Sequence, residues 1–329
     1  MNRACRTAGL VAALAAGAAH ADGALQLTGF ATASYGGNFD RRTAQFSLDQ
    51  AEIDASHELS PNGTVRVDLE WVWDGQAWAV AVEQGWLAYK PEFASQLTLT
   101  AGRFNAPIGF ESLDPPDMYQ ITHGLLFTYC TPSNFTGAMA TVGLGRGVDV
   151  KAYAANDWDL NSENNGSPTF GGRLGWANGG RLSGGVSLVS GMRDPAQEIR
   201  HTVLDLDLTY TPGARVTLGA ELNGCQASVA GSDASWAGFL VMAHWKLHER
   251  LGLTGRYDWV DDGDDLLFGS GLQEQRSSAT LAPVVTLGPG MRLLGELRVD
   301  LSNEDVFTGD DGDAKSSTLA GAVNMTYSF

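Results

Sequence analysis

The chain has 329 residues, 21 of them Lys or Arg against 38 Asp or Glu, for a formal net charge of −17, and 41 glycines. That sign excludes a nucleic-acid binder, whose phosphates need a basic footprint, and the glycines follow no collagen-like period. Beyond the N-terminal segment no stretch reaches the roughly 18 consecutive apolar residues of a membrane helix, which leaves a soluble protein or the other permitted membrane architecture, a closed barrel.

The first element is MNRACRTAGLVAALAAGAAHADG. Arg3 and Arg6 precede an apolar run from Ala8 to Ala19, and Ala19-His20-Ala21 is a small-residue cleavage pattern. Residues 1–21 therefore read as a secretory signal peptide cut near Ala21. A membrane anchor would need about 20 apolar residues, and this run is shorter. Its loss removes Arg3, Arg6 and Cys5, so the mature chain is more negative still.

The rest, 22–329, reads as one domain of strands. In TVRVDLEWVW, Val65, Val67, Leu69, Trp71 and Trp73 share one face, with Thr64, Arg66, Asp68 and Glu70 on the other. Such alternation marks a strand with one apolar and one charged face. The same pattern recurs to the end of the chain and predicts about sixteen strands: 24–35, 43–58, 64–73, 79–89, 96–104, 136–144, 148–157, 169–177, 181–191, 202–210, 215–224, 235–247, 251–260, 275–287, 291–300 and 317–329. Fourteen is the alternative if 79–89 or 169–177 is misread. Tight turns such as SPNG, GRG, NGG and GPG alternate with longer polar loops, the layout of an outer-membrane barrel.

Period two does not say which face is outside, since a soluble sandwich would show it too. Charge decides: Arg66, Asp68, Glu70, Asp149, Lys151, Asp205, Asp207, Glu221, Arg256, Asp258, Glu296 and Arg298 all oppose apolar faces. A polar interior with an apolar exterior accommodates them most simply. Aromatics near strand ends (Trp73, Tyr89, Tyr210, Trp245, Tyr257, Trp259, Tyr327, Phe329) resemble interfacial girdles. The fold class expected is thus all-β, a transmembrane antiparallel barrel wide enough to hold water.

One connection, Asn105 to Phe135, differs from the rest. It contains GFESLDPPDMY and the apolar run GLLFTY. A loop standing in solvent has little reason to be so apolar; folded back into the barrel, it could pack on the wall while Glu111, Asp114 and Asp117 face the remaining water. Each proline fixes its own backbone angle and extends the residue before it, which suits a stiff constriction.

Here the chain resembles the OmpL-like β-barrel porins of Gram-negative bacteria. The resemblance rests on Gly102-Arg103-Phe104, Ile108-Gly109-Phe110-Glu111, Asp114-Pro115-Pro116-Asp117, Phe127-Thr128-Tyr129, Phe135-Thr136-Gly137 and Asn156-Asp157-Trp158-Asp159. Cys130 stands where a small residue such as Gly is expected, and Asn134 where a polar residue such as His is expected. The resemblance implies a porin in the outer membrane without naming its cargo. The terminal aromatic Phe329, with Tyr327 and Met325 on its face, looks like the signature read by the barrel assembly machinery.

The expected function is a water-filled diffusion channel for small hydrophilic solutes or ions, weakly cation-preferring because acidic rings favour cations. Glu111, Asp114 and Asp117 are the candidate constriction residues, facing the inward arginines Arg66, Arg173, Arg256 and Arg298. For any single one of those arginines, pairing with neighbouring acids along the wall is the favoured reading. Partners expected are outer-membrane lipid and lipopolysaccharide, the assembly machinery and the solutes themselves, with a homotrimer as one assembly; no cofactor or metal is expected. The alternative is a plugged structural or adhesive barrel, in which the acidic loops Asp261–Asp265 and Glu304–Asp313 bind partners or calcium. Neither loop has the spacing of a helix-loop-helix calcium site. An enzyme is not expected, because His57, His123, His201, His244 and His248 sit in no catalytic motif. Cys130 and Cys225 could be joined in a disulfide, which an oxidising compartment permits.

Overall fold

A strand with one apolar and one charged face is stable in a membrane only if both its edges are paired. The computed structural model describes residues 24–73, 77–162, 166–177, 179–193, 199–229 and 232–329, and in it sixteen such strands close on one another. The signal-peptide reading at 1–21 lies outside the described residues. In chain order the strands are β1 (Gln26–Asn38), β2 (Thr43–Ser60), β3 (Gly63–Trp73), β4 (Trp78–Tyr89), β5 (Leu97–Asn105), β6 (Asn134–Gly145), β7 (Val148–Ala155), β8 (Thr169–Ala177), β9 (Leu182–Met192), β10 (Arg200–Gly213), β11 (Val216–Val229), β12 (Ser232–His248), β13 (Leu251–Asp262), β14 (Glu274–Gly288) and β15 (Met291–Ser302). A two-residue hairpin, β16 (Phe307–Thr308) and β17 (Ala314–Lys315), interrupts the last long loop before β18 (Ser317–Ser328). Every barrel neighbour is antiparallel, and β1 pairs with β18 to shut the ring.

Sixteen is therefore the count, and the fourteen-strand alternative falls. Both doubtful strands, β4 and β8, pair along both edges. The larger departures are at the long-loop ends: β10 starts at Arg200, β11 runs to Val229 and β12 starts at Ser232. Pairing there continues through Val229 opposite Ser232. Residues such as Gln226, Ser228 and Asp233 carry no apolar face to betray a strand, because beyond the membrane none is needed.

The faces fall as charge demands. On β10, Leu204 and Leu206 are 49% and 41% exposed, while Asp205 between them is 0% exposed. A soluble sandwich would show the reverse, so the apolar face is the outer, lipid-contacting one. Trp73, Tyr89, Trp245, Tyr327 and Phe329 are exposed on that same outer surface.

The inner face is mostly polar but not wholly so. Val189, Val203, Cys225, Trp236, Leu240 and Val260 are buried in one cluster with Leu125, Leu126 and Cys130 of the β5–β6 connection. One glycine shows how closely the backbones run near that connection: Gly102 has φ +128°, and a Cβ there would strike the Gly85 carbonyl on β4.

Candidate functional site

The long β5–β6 connection is tied at its base. Ala106 N–H donates to the Ser133 carbonyl at 2.8 Å, and Asn134 Nδ2 donates to Asn105 Oδ1 at 2.8 Å. Asp159 holds the same corner: its Oδ1 accepts the backbone N–H groups of Ser133 at 2.9 Å and Asn134 at 2.8 Å. Asp159 does so from a left-handed backbone conformation, φ 61°, that aspartate tolerates better than most residues. Burial pushes its carboxyl upward, against those two N–H bonds and the nearby Arg103, which favour the anion. The Asn-Asp-Trp-Asp element thus fastens the loop, a role its sequence position did not disclose.

From that base the connection meets carboxylates on four strands. Gly109 N–H donates to Asp205 of β10 at 3.3 Å and Phe110 N–H to Glu221 of β11 at 2.9 Å. Leu125 N–H donates to Asp258 of β13 at 2.9 Å. Glu296 of β15 accepts from Ile121 N–H at 2.6 Å and from the Thr122 hydroxyl at 2.6 Å. Charged acceptors for backbone N–H groups are among the stronger hydrogen bonds, and here they take up donors that a buried loop would otherwise leave unpaired. Leu126–Cys130 makes a single π-helical turn, with the Thr128 hydroxyl donating back to the Gly124 carbonyl at 2.8 Å.

Two wall glycines leave room for this contact. A Cβ at Gly219 on β11 would collide with the Phe110 ring, and one at Gly238 on β12 with Leu126. Neither position was singled out in the sequence; a glycine in the middle of an otherwise alternating strand is the signal that could have found them.

The arginines have partners. Arg256, whose side chain is 0% exposed, donates from Nη1 to Glu111 at 2.6 Å and to the Thr122 carbonyl at 2.7 Å, and from Nε to Asp258 at 3.0 Å. Arg298 donates to the His123 carbonyl at 2.6 Å and pairs with Asp300 at 2.9 Å. Arg66 pairs with Asp68 at 2.8 Å, and Arg173 with Asp207. The sequence left two arrangements for these four arginines, facing the loop acids or pairing along the wall, and the structure has both. Arg256 and Arg298 touch the loop, while Arg66 is held by Asp68 two residues along its own strand and Arg173 reaches Asp207 of β10 across Gly185 of the intervening β9.

Of the three loop acids, Glu111 and Asp117 share one cavity and Asp114 sits elsewhere. Asp117 is exposed; with Glu111, Phe110, Tyr119, Thr209 and Thr217 it lines a cavity of about 320 Å³. Asp114 lies beside β2–β4, where burial, then the carboxylates of Asp54, Asp68 and Asp117, push its carboxyl up to about 6. Burial lowers the His123 imidazole; its ring stacks on Phe127 with centroids 3.8 Å apart.

Cys130 and Cys225 are both buried free thiols in the one apolar cluster, in place of the disulfide entertained from sequence. A buried thiol packs as a small apolar group and needs no crosslink. Burial also pushes Cys130 well above its usual range, so the reactive thiolate is scarce. We expect neither cysteine to react with a thiol reagent in the folded barrel, and both to react once unreduced protein is denatured; a lack of reaction after denaturation would contradict this.

The acidic external loops use their carboxylates on themselves. Asp262 accepts from Leu266, Leu267 and Phe268 N–H, Asp265 from Ser270 and Gly271 N–H, and Asp264 from Ser235 N–H, all at 2.8–2.9 Å. In the last loop Arg42 pairs with Asp310 at 2.8 Å. Among the described residues, the carboxylates close enough to share one ion lie instead on β2–β4 and the β5–β6 connection.

The model of the family described as Putative beta-barrel porin-2, OmpL-like, matches residues 25–329. No curated protein matches the chain by sequence. Among solved structures the chain is similar to an anion-selective porin from Comamonas acidovorans, at 13% identity and TM-score 0.69 over 94% of this chain and 100% of that one. It is similar also to the outer membrane channel DcaP of Acinetobacter baumannii, at 12% identity and TM-score 0.68 over 93% of this chain and 97% of that one. A third is OmpT, an outer membrane protein of Vibrio cholerae, in its trimer form, at 11% identity and TM-score 0.67 over 93% and 99%. At these identities the likeness is one of fold.

Proposed function

We propose that this chain, which belongs to the OmpL-like β-barrel porin-2 family and is an outer-membrane channel, is a non-enzymatic diffusion pore whose β5–β6 connection folds into the lumen and sets its narrowest point. The observation that carries the reading is the set of bonds from loop backbone N–H groups to Asp205, Glu221, Asp258 and Glu296. Those carboxylates alternate with exposed apolar residues, so they belong to the inner face, and a loop that reaches all four crosses from β5 toward β15. The pore is weakly cation-preferring. Support comes from the imbalance at the β2–β4 side, where Asp54, Asp68 and Asp114 gather about the single Arg66, while Arg256 and Arg298 opposite are paired with Glu111, Asp258 and Asp300. The anion selectivity in the name of the Comamonas porin belongs to that protein, since 13% identity carries no pore lining across.

The surrounding partners we propose are lipopolysaccharide and lipid against the apolar band, the barrel assembly machinery at the Phe329 end, and two further copies in a homotrimer, by likeness to the trimer form of OmpT. Single-channel recording of refolded protein in a planar bilayer under a salt gradient tests the pore. Stable conductance steps with a cation-signed reversal potential are expected. A heat-resistant, folded barrel that conducts nothing would overturn the pore and favour the plugged, adhesive barrel.

A further inference from the structure

Three carboxylates from separate parts of the chain converge without a cation of their own. One oxygen each from Glu52 on β2, Glu83 on β4 and Asp114 on the β5–β6 connection lie within 4.8 Å of one another. Glu52 is 1% and Glu83 6% exposed, and Glu52 Oε1, Glu83 Oε1 and Asp114 Oδ1 are buried with no hydrogen-bond partner. Orphaned buried acceptors are uncommon, and each asks for a partner. The neighbouring arginines do not supply one. Arg66 is held by Asp68 at 2.8 Å and reaches Asp54 at 3.8 Å, and Arg103 donates to the Glu83 backbone carbonyl at 3.0 Å rather than to its carboxylate.

From this convergence we propose that Glu52, Glu83 and Asp114 form a binding site for one hard divalent cation, calcium, that clamps the loop to the β2–β4 wall. The donor set is all carboxylate oxygen, which suits calcium or magnesium and not the softer metals. Calcium–oxygen distances of about 2.3–2.6 Å place ligands on one ion up to about 5 Å apart, the spread these oxygens have, and calcium accepts irregular geometry where magnesium demands a near-ideal octahedron. Asp54 and Asp68 form a second group with Glu52, but Asp68 is occupied by Arg66 and by Gln84 Nε2 at 2.6 Å, and Asp54, although its Oδ1 is unpaired, accepts from the Thr28 hydroxyl at 2.9 Å and faces Arg66 at 3.8 Å. Glu52, Glu83 and Asp114 are the group that no arginine side chain bonds. A cation between them would offset their mutual repulsion and hold Asp114 from the side opposite the Arg256 and Glu296 contacts. This inference rests on the infolded loop proposed above, but its readout is ion binding and not conductance.

The test is equilibrium dialysis of the folded, chelator-stripped protein against calcium, with Glu83→Gln and Asp114→Asn beside it. Both variants remove a repelling charge and should fold at least as readily, which retention of the heat-resistant barrel form checks. We expect one equivalent bound with a dissociation constant on the order of 0.1–1 mM, the range of extracellular sites, weakened at least tenfold in either variant and unchanged in Asp264→Asn on the external loop. The site is overturned if the protein binds no calcium, which would mean that the three acids share protons instead. It is equally overturned if binding survives both variants or is lost only in Asp264→Asn. A conducting channel that binds no calcium would sink the site and leave the pore standing; calcium binding by a barrel that does not conduct would do the opposite.

Discussion

Replacement of Arg256 by alanine is expected to produce the largest loss of stability of any single change in the pore and to widen the channel at the same time. The guanidinium is wholly buried and bonds to Glu111 at 2.6 Å, Asp258 at 3.0 Å, the Thr122 carbonyl at 2.7 Å and the Thr280 hydroxyl at 3.3 Å. Truncation leaves two carboxylates buried without their cation and one loop carbonyl without its donor. Breaking a buried pair from one side costs about 3–5 kcal/mol, because the remaining charge has lost both water and partner. Part of that cost can be relieved if the stretch from Glu111 to His123 lifts off the wall and takes Glu111 back to water. The expected readout is therefore double: a lower temperature for loss of the compact barrel form in gel mobility, and single-channel steps that are larger and noisier than those of the native protein. Arg256→Lys keeps the charge without the planar fork that serves Glu111, Asp258 and Thr280 together, and should fall between the two. Native conductance in a measurably destabilised Arg256→Ala barrel would mean that the loop stays in place without its central arginine, and the anchoring account would fail.

The barrel was legible in the sequence because a membrane strand declares itself twice, once by its apolar face and once by the charge opposite. Leu204-Asp205-Leu206-Asp207-Leu208 admits scarcely any other reading, and it is found with the aspartates buried and the leucines out. The loop was legible as an anomaly of composition, through Leu125, Leu126 and Phe127 in a connection that should have been polar. What composition could not give was its set of partners. Glu296 and Asp258 looked like ordinary inner-face acids, yet they accept loop backbone N–H groups, and nothing in a strand's alternation distinguishes an acid facing water from one facing a peptide. Gly219 and Gly238 were silent for a related reason, since an absent side chain says that something comes close but not what. The arginines illustrate the same limit. Their inward direction followed from periodicity, whereas their partners depended on which strands became neighbours, and Arg173 meets Asp207 only because β8, β9 and β10 stand side by side.

Neutralising Asp114 and Asp117 together, as Asp114→Asn with Asp117→Asn, is expected to halve the cation preference proposed for the channel or reduce it further while leaving its conductance steps nearly the same size. The argument turns on which acids still present free charge to a passing ion. Glu111 is compensated by Arg256, and Asp205, Glu221, Asp258 and Glu296 already accept loop N–H groups. Asp117, by contrast, is exposed beside the 320 Å³ cavity. Asp114 has a carboxyl raised to about 6, so it is still mainly an anion at pH 7. Two partly screened carboxylates, one of them half-buried, together contribute about 0.5–1 kcal/mol to a cation at close range, which corresponds to roughly a twofold to fivefold change in permeability ratio. Asparagine keeps nearly the same volume, so the passage should not change width. The recordings belong in chelator, because a calcium ion held by Asp114 would cancel the charge that the substitution removes; added calcium should then depress the native protein's selectivity toward that of the double variant. A reversal potential identical in native and variant channels, in chelator, would place the selecting charges elsewhere on the wall, with Asp49 and Glu70 the next to neutralise.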